Sequence, residues 1–280
     1  MSPVAAGTLC VIGGAEDRAG SRTVLREFVR LAGEEPRIAV VATASSLGPE
    51  ILDEYAAVFL ELGAGAVVPL RPESRFEADD PALADRLADV DAVFMTGGNQ
   101  LKLTQVIGGT RFGDAVRSAY GRGALVGGTS AGASAVSEHM IAFGDESDTP
   151  RQGVTASAAG LGLLPDVIVD QHFAQRNRYG RLLSLVARSP RLLGLGVDED
   201  TAGVVGPDGV MEVIGRGSVT IIDGASAETD AWEVHGHRPL MISGVVLHSL
   251  PSGYRFDLRH RERVATPSLH ALPGGEAASS

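Results

Sequence analysis

Short, almost continuously apolar runs alternate with longer amphipathic segments, and this alternation constrains the fold more than any other feature of the chain. The runs occupy positions 8–12, 37–41, 66–70, 92–95, 124–126 and 167–169. Between them lie segments such as 21–32, 50–62 and 81–89, whose apolar residues recur at three and four positions, as in Leu25, Phe28, Val29 and Ala32. A strand buried on both faces has no polar side, so it reads as an unbroken apolar run. A helix lying on a sheet buries only one stripe. Together the two patterns predict an α/β fold of three layers, a mostly parallel sheet covered by helices on both faces. Beyond about position 194 the runs at 202–205, 210–214, 219–222 and 240–247 are split by Gly, Pro or Asp. They predict C-terminal antiparallel strands that extend the sheet. No linker divides the chain, so residues 1–264 are expected to form a single α/β domain and 265–280, small and polar, a frayed tail.

Charge and cysteine content narrow the function classes. The formal net charge is −11. Neutralising nucleic-acid phosphates takes a basic surplus that this chain lacks, so no nucleic-acid partner is expected. An acidic field attracts cations, though it also serves solubility alone. The single cysteine, Cys10, lies inside an apolar run. It can make neither an internal disulfide nor a thiolate cluster, and neither a metal nor a cofactor is expected. No leader-like or membrane-length apolar stretch occurs, which gives no membrane association and a cytoplasmic location as the expectation.

In an open α/β sheet, functional groups collect at the carboxyl ends of the strands. Those ends here read Gly13-Gly14-Ala15-Glu16-Asp17, Gly97-Gly98-Asn99-Gln100, Gly127-Gly128-Thr129-Ser130, Asp170-Gln171-His172 and Asp198-Glu199-Asp200. Gly128-Thr129-Ser130-Ala131-Gly132 fits the G-x-S-x-G turn, in which a serine nucleophile sits on a tight strand-to-helix corner. Side chains two positions away would clash there, and the amides of the following helix face a developing oxyanion. Ala131 N–H is the natural first donor and Gly98 N–H a second. A glycine-rich turn of a phosphate site is the competing reading of the same residues, although neither a G-x-G-x-x-G nor a P-loop pattern is present.

A serine needs an adjacent base. Of the seven histidines, His139 falls on the helix predicted to follow Ser130, roughly 13 Å along its axis. His260 and His270 lie near the polar tail, His235 and His237 flank a glycine in a turn, and His248 belongs to a late strand. His172 follows a strand at the functional end of the sheet. A carboxylate should orient it, and Asp198, Glu199 and Asp200 all end a strand; period-two alternation separates Glu199 from the other two without choosing a side. The chain order Ser, His, acid differs from the Ser, acid, His order of α/β-hydrolases.

These segments, together with Ile12, Thr96, Phe173 and the stretch 196–202, resemble the cyanophycinase family of serine peptidases, which also contains aspartyl dipeptidases. The resemblance runs from about Leu9 to Leu247. It implies a flavodoxin-like or class I glutamine-amidotransferase-like sheet and a Ser130, His172, Glu199 triad, which decides among the three acids. It also implies a substrate, multi-L-arginyl-poly-L-aspartate (cyanophycin) or β-Asp-Arg-type peptides, and a homodimer. In that polymer each backbone aspartate carries an arginine on its β-carboxyl and leaves the arginine α-carboxylate free. Asp170, Gln171, Arg176, Arg178 and Arg181 are the substrate contacts that follow from the resemblance, with Gln100, or Asn99 beside it, as a further one. Arginine suits carboxylates because its planar fork donates two parallel hydrogen bonds. A run of arginines on a solvated helix face is the plainer alternative.

Overall fold

The computed structural model describes residues 7–146 and 148–265; the tail expected over 265–280 lies almost wholly outside them. In chain order, β1 (Leu9–Ile12), α1 (Thr23–Ala32), β2 (Arg37–Val41), α2 (Glu50–Glu61), β3 (Ala66–Leu70), the short α3 (Arg75–Ala78) and α4 (Pro81–Asp85), and β4 (Ala92–Met95) open the fold. They are followed by α5 (Gln100–Ile107), α6 (Arg111–Gly121), β5 (Leu125–Thr129), α7 (Ala131–Ala135) and the hairpin β6 (His139–Gly144) and β7 (Thr155–Ala159). Next come β8 (Val167–Gln171), α8 (Tyr179–Arg188), β9 (Leu193–Val197), β10 (Thr201–Val205), β11 (Val210–Gly215) and β12 (Ser218–Asp223). The two-residue strands β13 (Glu228–Thr229) and β14 (Ile242–Ser243), then β15 (Val246–Pro251), β16 (Arg255–Asp257) and β17 (Glu262–Val264), complete it.

Among the described residues, the main sheet has nine strands in the order β17-β16-β11-β10-β1-β5-β4-β2-β3. Strands β1 to β5 are mutually parallel, as the apolar runs predict. β10, β11, β16 and β17 extend the sheet antiparallel beyond β1. Alternation along β1 sends Cys10 and Ile12 to the face covered by α1 and α2, and Leu9 and Val11 to the opposite face. On the first face Phe28, Tyr55 and Phe59 close around Phe94, at centroid distances of 5.2, 4.9 and 5.1 Å. Aromatic pairs of this kind each add about 0.5–1.5 kcal/mol beyond area burial.

Two expectations change. The run at 167–169 does not join the main sheet, and neither do those at 219–222 and 240–247 that were expected to extend it. β8 pairs parallel with β9, and β9 and β15 flank β12, giving a separate four-stranded sheet, β15-β12-β9-β8. The helix after Ser130 ends at Ala135, so His139 opens strand β6 and is exposed. The chain turns there because Val136 O accepts the amides of Leu163 and Leu164, which pulls it toward the β7–β8 connection.

Candidate active site

The nucleophile turn is built by close backbone packing. β5 lies wholly buried between β1 and β4, and Ser130 N–H donates to Ile12 O at 3.0 Å. Ser130 adopts φ 51°, ψ −106°, an unusual conformation for a residue other than glycine and typical of a strained functional corner. A Cβ on Gly128 would lie 2.3 Å from the carbonyl carbon of Gly132, and one on Gly132 would lie 2.3 Å from Met95 O. Both flanking glycines are therefore fixed by space.

The second sheet brings the imidazole. His172 follows β8 directly, with φ 47°, and is 9% exposed. Its Nε2 stands 3.0 Å from Ser130 Oγ and its Nδ1 2.6 Å from Glu199 Oε1. An ionised carboxylate can only accept, so Nδ1 carries the proton and Nε2 offers its lone pair to the serine hydroxyl. Burial pushes the His172 pKa below its ordinary value, and the hydrogen bond His172 donates to Glu199 only partly opposes this. The imidazole is consequently neutral at pH 7, as a base must be.

Residues 198–200 form the turn between β9 and β10, so strand alternation does not govern them; their partners do. Asp198 is buried and accepts from Ala174 N–H, Ser218 N–H and Ser218 Oγ–H at 3.0–3.1 Å. Asp200 accepts from Asp17 N–H. Glu199 is the one of the three that reaches the imidazole, and Gln175 Oε1 receives its amide at 3.0 Å.

Gly13 and Gly14 join the halves. Gly13 O accepts His172 N–H at 2.8 Å, and Gly14 O accepts Asp200 N–H at 2.9 Å. Gly14 has φ 99°, and a Cβ there would meet His172 Cε1 at 2.4 Å. The imidazole thus rests on bare backbone. Gly98, with φ 137°, is packed against Ala44 O, and a Cβ on Gly97 would lie 3.4 Å from Ser130 Cβ. The Gly97–Gly98 turn therefore runs beside the serine. Ala131 opens α7, where a first-turn amide has no acceptor within its own helix.

Ser130 separates two cavities. One, of about 600 Å³, is walled by Gly98, Asn99, Gln100, Phe143, Gln171, Arg176, Arg178 and Arg181. The other, of about 370 Å³, is walled by Glu16, Arg18, Ser45, Tyr55, Gly98 and His172 among others. Arg178 and Arg181 are buried and share Asp170 as counter-charge. Arg181 Nε donates to Asp170 Oδ2 at 2.6 Å and Arg178 Nη1 approaches Oδ1 at 3.4 Å. Arg178 also donates to Gln171 O at 2.6 Å and to Gln171 Oε1, while its Nε is buried without a partner. Burial lowers the Arg178 pKa to about 10, which leaves it charged.

Asp170 is 1% exposed and lies behind the wall. It holds the two arginines and, unlike the other expected substrate contacts, is not among the residues that wall the cavity. Asn99 and Gln100 are on the surface, but each has a committed group. Asn99 Oδ1 caps α5 by accepting from Lys102 N–H, and Gln100 Nε2 donates to Ile141 O and Ala142 O at 3.0 and 3.2 Å. The other histidines stay away from this rim, with His248 against Phe256 and His260 on Asp257; His270 lies outside the described residues. Glu16 had no role in the sequence reading. It is 6% exposed and accepts from both Tyr55 Oη–H and Thr129 Oγ1–H, which ties the residue before Ser130 to the aromatic core. Its partners come from distant stretches, so only its place in the Gly-Gly-Ala-Glu-Asp segment could have drawn notice. Phe143 was missed for the same reason.

Residues 9–213 match the model of peptidase family S51. The chain is 38% identical over 261 residues to a cyanophycinase of Geminocystis herdmanii, covering 92% of this chain and 96% of that one. It is 40% identical over 265 residues to a cyanophycinase of Trichormus variabilis, covering 94% and 88%. A crystal structure of a peptidase from an acI-B1 Actinobacterium superposes with a TM-score of 0.62 at 20% identity, covering 86% of this chain and 96% of that one, and shares the fold. With the match spanning most of its length, the chain belongs to peptidase family S51 and is a serine-type peptidase.

Proposed function

We propose that the protein hydrolyses multi-L-arginyl-poly-L-aspartate as a serine exopeptidase and releases β-aspartyl-arginine. The observation that carries this reading is a Ser130–His172–Glu199 chain of contacts opening onto a cavity walled by three arginines. Such a wall suits a substrate that presents a carboxylate at every arginine branch. The similarity to cyanophycinases over nearly the full chain supports the same choice.

Ser130 Oγ attacks the backbone peptide carbonyl while His172 Nε2 takes its proton. The amides of Ala131 and Gly98 receive the oxyanion, worth about 3–4 kcal/mol per donor in sites of this type. The tetrahedral adduct collapses, the C–N bond breaks, and His172 returns the proton to the leaving amine. Water then attacks the ester with the same imidazole as base, which frees the acid product and restores the serine. Glu199 keeps the imidazole in the required tautomer and balances its transient charge. Arg176, Arg178, Arg181 and Gln171 hold the carboxylates, and Asp170 holds two of those arginines in place.

A homodimer, by the family resemblance, and a cytoplasmic location belong to this reading. No helix among the described residues is long and apolar enough to cross a membrane, and sedimentation of the purified protein tests the dimer. Function is tested by incubating the protein with purified cyanophycin and weighing the products by mass spectrometry. The expected product is the β-Asp-Arg dipeptide. Faster hydrolysis of short Asp-Xaa peptides than of the polymer would make the protein an aspartyl dipeptidase instead.

A further inference from the structure

Arginine-lined walls account for carboxylates but leave the guanidinium of each substrate arginine without a place. Three guanidiniums, Arg176, Arg178 and Arg181, line this cavity, and a single buried carboxylate, Asp170, pairs with two of them. A fourth cation driven against that wall would be repelled. It needs an uncharged surface in the same cavity, and there the chain presents an aromatic ring.

Phe143 lines the cavity and is 66% exposed, so its ring face is open to a ligand there. Its orientation has a specific cause. In the β6–β7 hairpin Ile141 pairs with Ser157 and Phe143 with Ala156, so Ala142 is an unpaired bulge residue. A bulge re-aims the side chain that follows it. Here it places Ile141 in the core at 1% exposure and turns Phe143 outward. The bulge is held on both sides: Gln100 Nε2 donates to Ile141 O and Ala142 O, and Arg181 Nη1 donates to Gly144 O at 3.0 Å. The same arginine that lines the carboxylate wall thus anchors the strand that carries the ring. Exposed Glu146 follows three residues later and is near enough to Arg178 to favour its charged form.

We infer that Phe143 is the platform on which the substrate guanidinium stacks, with Glu146 as its nearby counter-charge. This rests on the functional reading above and supplies what sets its arginine specificity. A guanidinium over an aromatic face is favoured by the ring's negative face. The neutral urea of citrulline has the same shape without the charge.

The test compares a synthetic peptide of three β-Asp-Arg units with its citrulline counterpart, by kcat/KM in the wild-type protein and by calorimetric binding to Ser130→Ala. Wild type should prefer the arginine peptide. Phe143→Ala should lower that preference roughly tenfold, mostly through KM, and Phe143→Tyr should keep it. Glu146→Gln should lower it less. Unchanged discrimination in Phe143→Ala overturns the platform alone. A wild-type protein that neither cleaves nor binds either peptide overturns the functional reading, and this one with it.

Discussion

The two sheets contribute to one site in different ways. The nine-stranded sheet supplies Ser130 and the Gly97–Gly98 turn, and its contribution is close backbone packing, with no room for a Cβ at 14, 98, 128 or 132. The four-stranded sheet supplies His172 after β8, leads through β9 to the Glu199 turn, and is followed by the arginines, Arg176 and Arg178 just before α8 and Arg181 in its first turn. Its contribution is buried charge that is almost fully paired. One half fails by collision and the other by an unanswered charge, so substitutions in the two should be distinguishable by what they damage. Gly13 and Gly14 are the seam, since their carbonyls hold the base strand and the acid turn.

The largest effect is expected where the halves meet chemically. Ser130→Ala should lower kcat on the polymer by at least about 10⁴-fold, His172→Ala should do the same, and the double variant should lose little more than either. Additive losses in single-turnover assays would mean that the residues do not act as a unit. Next, Asp170→Asn removes the shared counter-charge of two buried arginines. Leaving a buried charge unpaired costs about 3–5 kcal/mol, so this variant should show a lower urea midpoint as well as weaker substrate use. Gly14→Ala should behave in the opposite way. Its Cβ displaces the imidazole at an unfavourable φ, so kcat should fall about 10²-fold, with a stability loss of only about 1–3 kcal/mol. A Gly14→Ala protein that is fully active would show that the imidazole does not need its seat on the backbone.

Legibility from sequence follows the same division. The nucleophile half is local: the apolar strand, the two glycines and the serine lie within nine residues, and the spacing itself carries the steric argument. The parallel order of β1 to β5 was likewise legible, because strands buried on both faces read as unbroken apolar runs. The base half is not local. An apolar run at 167–169 does not say which sheet it joins, and the pairing of β8 with β9, and of β9 with β12, is decided by side chains far apart in sequence. Alternation could not choose among Asp198, Glu199 and Asp200 because they form a turn, where hydrogen-bond partners fix direction. Glu16 was silent for a related reason: its partners Tyr55 and Thr129 are 39 and 113 residues away.

The smallest effect probes the seam through its electrostatics. His172 titrates below its ordinary value because burial disfavours the cation. Arg176 and Arg178 push the same way, while Glu199 opposes them. The base works when unprotonated, so the rate at which Ser130 reacts with a neutral fluorophosphonate should be level at neutral pH and should fall only as pH drops below 6.5. Arg176 is exposed, so Arg176→Gln should leave the fold intact and remove one cation from beside the imidazole. Protonation then becomes easier, and the acid limb should move to higher pH. A neutral probe separates this from any loss of carboxylate binding. High salt provides the control, because at 1 M the screening length is about 3 Å and the difference between wild type and variant should vanish. If the acid limb moved to lower pH instead, Arg176 would act on His172 through its position and not through its charge, and the charged half of the site would share the steric logic of the other.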